Sequence, residues 1–373
     1  MKVLIINEVC GIGSTGKISA GIAREFLSNG NNVRIAYGRT ANVPSDLKNI
    51  SYRIGGDFSV RFHALMTRLT DKHGFYSRRA TKKFLKFASE YNPDLVWMHN
   101  IHGYFINVEM LFDWIKSRPD MQVKWTLHDC WSFTGHCAFF TMAKCEKWKN
   151  QCCDCPETSK YPKAFISNAR KNYQRKKKAF VGVKNMEIIT PSKWLAGLVK
   201  ESFLKEYPVS VVYNTIDENI FKPTESDFRE KHSISDKKMV LFVANNWHEE
   251  RKGLKDVLQV HERLGDNYAI VIVGVDNEIK NSLPPKIIAI NKTNGQKELA
   301  QIYTTADVFV NTTYEDNYPT VNLESRSCGT PVITYRTGGS VESVREDLIV
   351  EVGDIDGLVQ KIKTVAQDKT KFL

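Results

Sequence analysis

The sequence predicts an α/β protein built from two doubly wound, Rossmann-like domains, and three observations carry that reading. Its 373 residues exceed one ordinary α/β core and fit two. Short apolar runs of parallel-strand type alternate with segments of helical period. That alternation stops and restarts once, near residue 214, which divides the chain into domains at 1–213 and 214–373.

Taken in order, Val3 to Ile6 reads as a buried parallel strand, followed by a glycine-rich turn and a helix from about Lys17 to Leu27. Ser28, Asn29 and Gly30 end that helix, and Val33 to Ala36 opens the next strand. Further strands fall at Leu95 to Met98, Val123 to Leu127, Ile188 to Thr190 and Val209 to Tyr213. The stretch Asn214 to Pro223 keeps neither period and reads as the connection. Beyond it, strands at Met239 to Ala244, Ala269 to Val273, Lys286 to Ile290, Val308 to Asn311 and Pro331 to Tyr335 alternate with helices. Those helices are expected at Leu254 to Leu264, Lys297 to Thr305, from Asn322, and at Leu358 to Val365. In such sheets ligands bind outside the carboxyl ends of the strands, here expected to face a central cleft between the domains.

With 42% hydrophobic and 25% charged residues the chain has the balance of a folded globular protein, which excludes disorder as the default. The run Met1 to Ile6 is too short for a secretory core, and no later run approaches the ~18 residues of a membrane span. The expected location is the cytoplasm. A net charge of +11 favours anionic partners. The excess clusters at Arg78, Arg79, Lys82, Lys83 and Lys86, interleaved with Phe75, Tyr76, Phe84 and Phe87, and again at Arg170, Lys171, Arg175, Lys176, Lys177 and Lys178. These read either as solvated helix faces or as a surface for peripheral contact with an anionic inner membrane face. No motif organises the charge for nucleic acid.

Three motifs carry phosphate chemistry. Gly11 to Lys17 (GIGSTGK) follows the first strand and nearly matches a phosphate loop, but Ile18 stands where a magnesium-binding hydroxyl belongs. The remaining readings are a plain turn or a loop whose Gly13, Ser14 and Thr15 backbone faces an anion. Arg251 and Lys252 precede Gly253 between a strand and a helix, where two cations suit a diphosphate leaving group. Glu315, Asp316 and Glu324 bracket a loop that ends at a helix start, with Thr320 and Val321 supplying free amides and Gly338 and Gly339 lying beyond.

Together with Thr190-Pro-Ser-Lys193, Asn214-Thr-Ile-Asp217 with Phe221, and Cys328-Gly-Thr-Pro331, these motifs resemble the family-4 retaining glycosyltransferases of the GT-B fold, in the bacterial capsule and exopolysaccharide branch. The resemblance covers nearly the whole chain. It implies that a nucleoside-diphosphate sugar (UDP- or GDP-linked) donates to a glycan or lipid-linked acceptor, with no metal needed for catalysis. It implies that Lys252 binds the diphosphate, Glu324 the ribose, and Asp316 or Glu315 the donor sugar. Asp316 keeps the family's seven-residue separation from Glu324 but is an aspartate where glutamate is usual. The arginine expected about five residues before Lys252 is replaced by the stretch Asn245, Asn246, Trp247, and Arg251 is the substitute. His128 matches the N-domain histidine near the donor sugar. Relatives commonly continue into a further helix that crosses back, so the chain reads as short at its end.

Two sets remain. His99, His102, Trp131 and His136 place imidazoles and an aromatic face on the N-domain side, as acceptor contacts or as core packing. Six of the eight cysteines lie between Cys130 and Cys155. Cys137, Cys145, Cys152 and Cys155 offer a structural zinc site, against a bland reading of reduced buried thiols. The alternatives to transfer are a phosphoryl-transfer enzyme built on the Gly11 loop and an inactive sugar-nucleotide-binding protein.

Overall fold

A computed structural model describes residues 1–39 and 42–372. The chain forms two compact units, Met1–Tyr213 and Asn214–Leu373. In the first, seven strands are β1 (Lys2–Asn7), β2 (Asn32–Tyr37), β3 (Ser51–Arg53), β4 (Leu95–Met98), β5 (Gln122–Thr126), β6 (Met186–Thr190) and β7 (Val209–Val211). They form one wholly parallel sheet in the order β3-β2-β1-β4-β5-β6-β7. Its helices are α1 (Gly13–Ser28), α2 (Asp57–Thr70), α3 (Arg78–Tyr91), α4 (Val108–Lys116), α5 (Ala169–Phe180) and α6 (Lys193–Glu201). Strand β1 is an unbroken apolar run because helices cover both faces of a parallel sheet; Val3, Leu4, Ile5 and Ile6 are wholly buried.

The second unit repeats the plan. Strands β8 (Lys238–Val243), β9 (Tyr268–Val273), β10 (Ile288–Ile290), β11 (Val308–Asn311), β12 (Val332–Tyr335) and β13 (Ile349–Val350) run in the order β10-β9-β8-β11-β12-β13. Helices α7 (Phe228–Lys231), α8 (Leu254–Leu264), α9 (Asn277–Ser282), α10 (Gln296–Thr305), α11 (Thr320–Ser327) and α12 (Ile355–Gln367) cover it. Both units are therefore parallel Rossmann-like sheets. In each, strand order reverses at one point: between β1 and β4, and between β8 and β11. The loops leaving those four strands are where this architecture seats ligands.

Three expectations change. Helix α1 starts at Gly13, four residues before the expected Lys17, because Gly13 takes the left-handed backbone (φ 63°) that an L-residue avoids and the helix can begin there. The segment Asn214 to Pro223 is no bare connection: Phe221 is buried in the core of the second unit, with Ile216 and Ile220 against it. In the second basic cluster Lys176 is fully buried, and Arg175 makes a two-point ion pair with Glu109 (2.8 and 2.6 Å). That cluster is thus partly internal wiring; in the first, Arg78, Arg79, Lys82, Lys83 and Lys86 are all exposed.

Candidate functional site

In the C-terminal unit the chain leaves β8 and makes one tight turn, Glu250–Lys252, before α8. Gly253 enters α8 at φ 73°, and a Cβ there would lie 2.3 Å from the Thr312 carbonyl oxygen. Only glycine lets the turn press so closely on the loop leaving β11. Hydrogen bonds then stitch turn to loop: Tyr314 N to Arg251 O (2.7 Å), Thr312 Oγ1 to Lys252 O (2.9 Å) and Thr313 Oγ1 to Arg251 O (3.2 Å). Behind them the buried Asp256 accepts from the hydroxyls of Tyr314 and Tyr335, both at 2.7 Å.

The charged groups converge on this frame. Lys252 Nζ lies 2.8 Å from Asp316 Oδ2, and Arg251 Nη1 lies 3.9 Å from the same oxygen. Arg251 also donates to the Glu315 carbonyl (3.1 Å) and pairs with Glu249 (2.6 Å). Burial alone would raise the Asp316 pKa. The charges of Lys252 and Arg251, with the Lys252 hydrogen bond, outweigh it and hold the carboxyl below its usual range. Asp316 is partly exposed while Glu315 is buried (4% exposed). Of the two candidates for a sugar contact, Asp316 is thus the one open to a ligand. Glu324 stands in α11, where the Tyr303 hydroxyl donates to its Oε2 (3.2 Å). The amides of Thr320 and Val321 open α11 after Pro319, with no side-chain cap over them. Gly338 and Gly339, expected to bind the donor, also hold this loop. Gly339 N donates to the Asp316 carbonyl (3.2 Å), and a Cβ on Gly338 would meet that oxygen at 2.0 Å, so both position the acidic loop.

The carboxyl edge of the N-terminal sheet is built from imidazoles and phenols. His99 Nδ1 and His128 Nε2 share a hydrogen bond of 3.0 Å after β4 and β5. Burial pushes the His128 pKa down to about 4, the Asp129 charge opposing and His102 reinforcing, so the ring is neutral at pH 7. Next to it Asp129 Oδ2 holds His102 Nε2 at 2.9 Å, and His102 Nδ1 meets the Tyr161 hydroxyl at 3.0 Å. Burial disfavours the charged form of His102, but the charge and hydrogen bond of Asp129 override it and raise its pKa. Tyr161 is 41% exposed, so a carboxylate–imidazole–phenol chain ends at the surface. Beside it, Glu8 after β1 pairs with Arg39 after β2 (2.5 Å).

Of the expected acceptor contacts, His99 and His102 sit on this edge, largely covered. Trp131 and His136 do not reach the surface. Trp131 is fully buried under the Lys176 ammonium (3.5 Å to the ring), and His136 is bound to the Asp71 carboxylate inside the unit. Their place is structural, since a loop leaving a sheet edge folds inward as readily as outward. Tyr161 escaped sequence reasoning because its partner His102 lies 59 residues away in the chain. At the other glycine loop, Gly13, Ser14 and Thr15 form the first turn of α1, so Gly16 and the exposed Lys17 lie a turn into the helix. A phosphate loop needs its Gly-Lys pair at the helix start, around an anion.

Residues 224–372 match the family model described as "Glycosyl transferases group 1". The chain is 25% identical to the "Putative colanic acid biosynthesis glycosyl transferase WcaC" of Escherichia coli over 68% of its own length and 62% of that protein's. It is 24% identical to the N,N'-diacetylbacillosaminyl-diphospho-undecaprenol alpha-1,3-N-acetylgalactosaminyltransferase of Campylobacter jejuni, over 37% of this chain and 38% of that one. The matches thus span less than two thirds of these relatives. Among solved structures, the sucrose-phosphate synthase of Thermosynechococcus elongatus superposes with a TM-score of 0.72 at 15% identity, covering 100% of this chain and 91% of that one. Anabaena HepE in complex with UDP superposes at 0.68, also 15% identical, covering 100% and 92%. The fold is that of GT-B glycosyltransferases, and the match to the group 1 glycosyltransferase model lies within the C-terminal unit.

Proposed function

We propose that this homologue of the group 1 glycosyltransferases transfers a hexose-type sugar, with retention, from a UDP- or GDP-sugar to a glycan or lipid-linked glycan acceptor in surface polysaccharide synthesis. The observation that carries the reading is the Lys252–Asp316 pair (2.8 Å), with Arg251 beside it, at the strand-order reversal of the C-terminal sheet. Two fixed cations there neutralise the charge that grows on a departing diphosphate, as a divalent cation otherwise would. The free amides of α11 add backbone dipoles for the phosphate, and Glu324, steadied by Tyr303, accepts from the ribose diol. Once the diphosphate engages Lys252, the Asp316 carboxylate is released to accept from a sugar hydroxyl. In the N-terminal unit the neutral His128 offers a hydrogen bond without charge, and Tyr161 presents its oxygen to an acceptor hydroxyl. The departing phosphate takes the acceptor proton. The kinship with enzymes named for colanic acid and for a diphospho-undecaprenol acceptor supports a bacterial glycan on a lipid carrier.

The geometry of α1 weighs against phosphoryl transfer at the Gly11 loop, because Lys17 is a turn too deep. Thermal stabilisation by UDP, GDP, ADP and ATP, each with and without magnesium, separates the readings. At 100 times its dissociation constant a ligand adds about 2.7 kcal/mol. Stabilisation by UDP or GDP without magnesium is the expected result, whereas a response confined to ATP with magnesium would point to the phosphate loop. Binding of UDP or GDP with no release of sugar from any nucleotide sugar would mark an inactive binding protein.

A further inference from the structure

Between the turn Trp131–Phe133 and α5 lie 35 residues, 134–168, whose regular structure is a single three-residue turn, Lys147–Lys149. So long an irregular stretch in a compact unit needs something other than backbone ladders to hold it. Within it lies a small pocket, about 10 Å³, with room for a single water-sized sphere, walled by His136, Cys137, Cys145, Cys152, Cys153 and Cys155 among others. Gly135 N–H already donates to Cys152 Sγ (3.2 Å), the bond that a thiolate ligand collects from its surroundings. A second observation is independent of the thiols. The His136 side chain is wholly buried with Nδ1 on the Asp71 carboxylate, and its Nε2 has no hydrogen-bond partner among the described residues. A negatively charged sulfur in the pocket supplies that partner.

We propose that this pocket binds one zinc ion through Cys137, Cys145, Cys152 and Cys155, with His136 as a supporting donor to a thiolate. Binding releases four protons as four thiols become thiolates and gives a dianionic centre. The buried ammonium of Lys176, bonded so far to the carbonyls of Trp131 and Thr134, lies on the same side. A zinc–thiolate tetrahedron has edges of about 3.8 Å. No three such donor atoms of the cluster stand within 4.8 Å of one another here, so metal binding draws the irregular segment inward. The test is elemental analysis of the full chain purified without chelator, with thiol titration before and after a mercurial reagent. About one zinc per chain, released on thiol modification, supports the site. Cys145→Ser should then lose most of it and Cys153→Ser none. Less than about 0.1 equivalent with all thiols titrating freely, a disulfide within the cluster, or zinc that survives Cys145→Ser overturns it.

A different observation concerns α2, whose amphipathic sense is reversed. His63 and Thr67 face inward and are fully buried, while Phe58, Phe62, Leu65 and Leu69, spaced 4, 3 and 4 residues apart, are 83%, 47%, 54% and 49% exposed. Phe165 N donates to Arg68 O (2.8 Å), which sets Phe165 (70% exposed) and Ile166 (52%) at the end of that stripe. Tyr76 packs on Phe62, so the start of α3, with Arg78 and Arg79, adjoins it. From residue 58 to 89 the sequence holds eight cations (Arg61, Arg68, Lys72, Arg78, Arg79, Lys82, Lys83 and Lys86) and one carboxylate, Asp71, which is buried. We infer that this face docks on an anionic phospholipid bilayer: the apolar stripe enters the headgroup boundary and the cations meet lipid phosphates. This stands whether or not the chain transfers sugars. Flotation of the full chain with phosphatidylglycerol vesicles, against phosphatidylcholine vesicles, tests it. Binding to the first at least about tenfold tighter, and abolished in Phe58→Ser/Leu65→Ser with an unchanged melting temperature, is expected. Equal binding to both vesicles, none to either, or a concentration-dependent dimer that covers the stripe overturns it.

Discussion

The two units share one topology and differ in what stands at its carboxyl edge. The C-terminal edge is ionic: Arg251, Lys252, Asp316 and Glu324 on a frame of short hydrogen bonds. The N-terminal edge is less ionic: His99 and His128 are held neutral by burial, while the charged groups among the described residues are paired, Asp129 with His102 and Glu8 with Arg39. The same backbone thus supports two recognition chemistries, one suited to a polyanion and the other to hydroxyl groups. Side chains on loops are free to diverge while the strand order that places them stays fixed.

The sharpest way to break this contrast is acid. Burial lowers the His63 pKa to about 3 and that of His128 to about 4, and His73 and His99 move the same way. A buried neutral imidazole stabilises the fold above the unfolded value near 6.5, and that stability is lost as pH falls toward the folded value. At pH 4 the loss is on the order of 3 kcal/mol each for His63 and His128. In the C-terminal unit the shifted imidazole among the described residues, exposed His248, moves upward through its hydrogen bond to Asp276. Calorimetry from pH 7 to 4 should therefore show the N-terminal unit melting first. If the C-terminal unit melts first, the contrast in buried imidazole is wrong.

Next in size, Lys252→Ala should lower kcat/KM by about 10²–10³ and weaken nucleoside-diphosphate binding, read by calorimetric titration. Wild-type affinity in that variant would remove the ionic edge from donor binding. Gly253→Ala should cost about 1–3 kcal/mol through its left-handed backbone and the Thr312 carbonyl, seen as a lower melting temperature of the C-terminal unit. The smallest effect is expected for Tyr161→Phe, about tenfold in kcat with donor binding untouched. A donor affinity that changes with it would mean the two edges are less separate than their chemistry suggests.

Much of this was legible. Helix Leu254–Leu264 and strands Leu95–Met98 and Val308–Asn311 fall where period and breakers put them, because each is long enough to show a pattern. Strands Ser51–Arg53 and Ile349–Val350 are too short for any period. The cationic turn at Arg251 and Lys252 was legible as local sequence, as were Asp316 and Glu324. The bonding of His136 to Asp71, 65 residues away, and the Asp129–His102–Tyr161 chain are products of tertiary folding that no window of sequence contains. The reversed α2 was equally hidden, since periodicity reports that a stripe exists but not which side of the helix meets the core.

The Lys252–Asp316 pair has a kinetic corollary. A cation that already holds an internal carboxylate takes up its ligand by exchange, so each arriving anion must outcompete a tethered rival. A single negative charge would gain little from such a swap, while a diphosphate that reached both cations and the helix amides would gain much. On the proposed function, the same carboxylate would return to its lysine once the sugar has left and would help to eject the spent nucleotide. Turnover would then be governed by a residue that resets the site as much as by those that fill it.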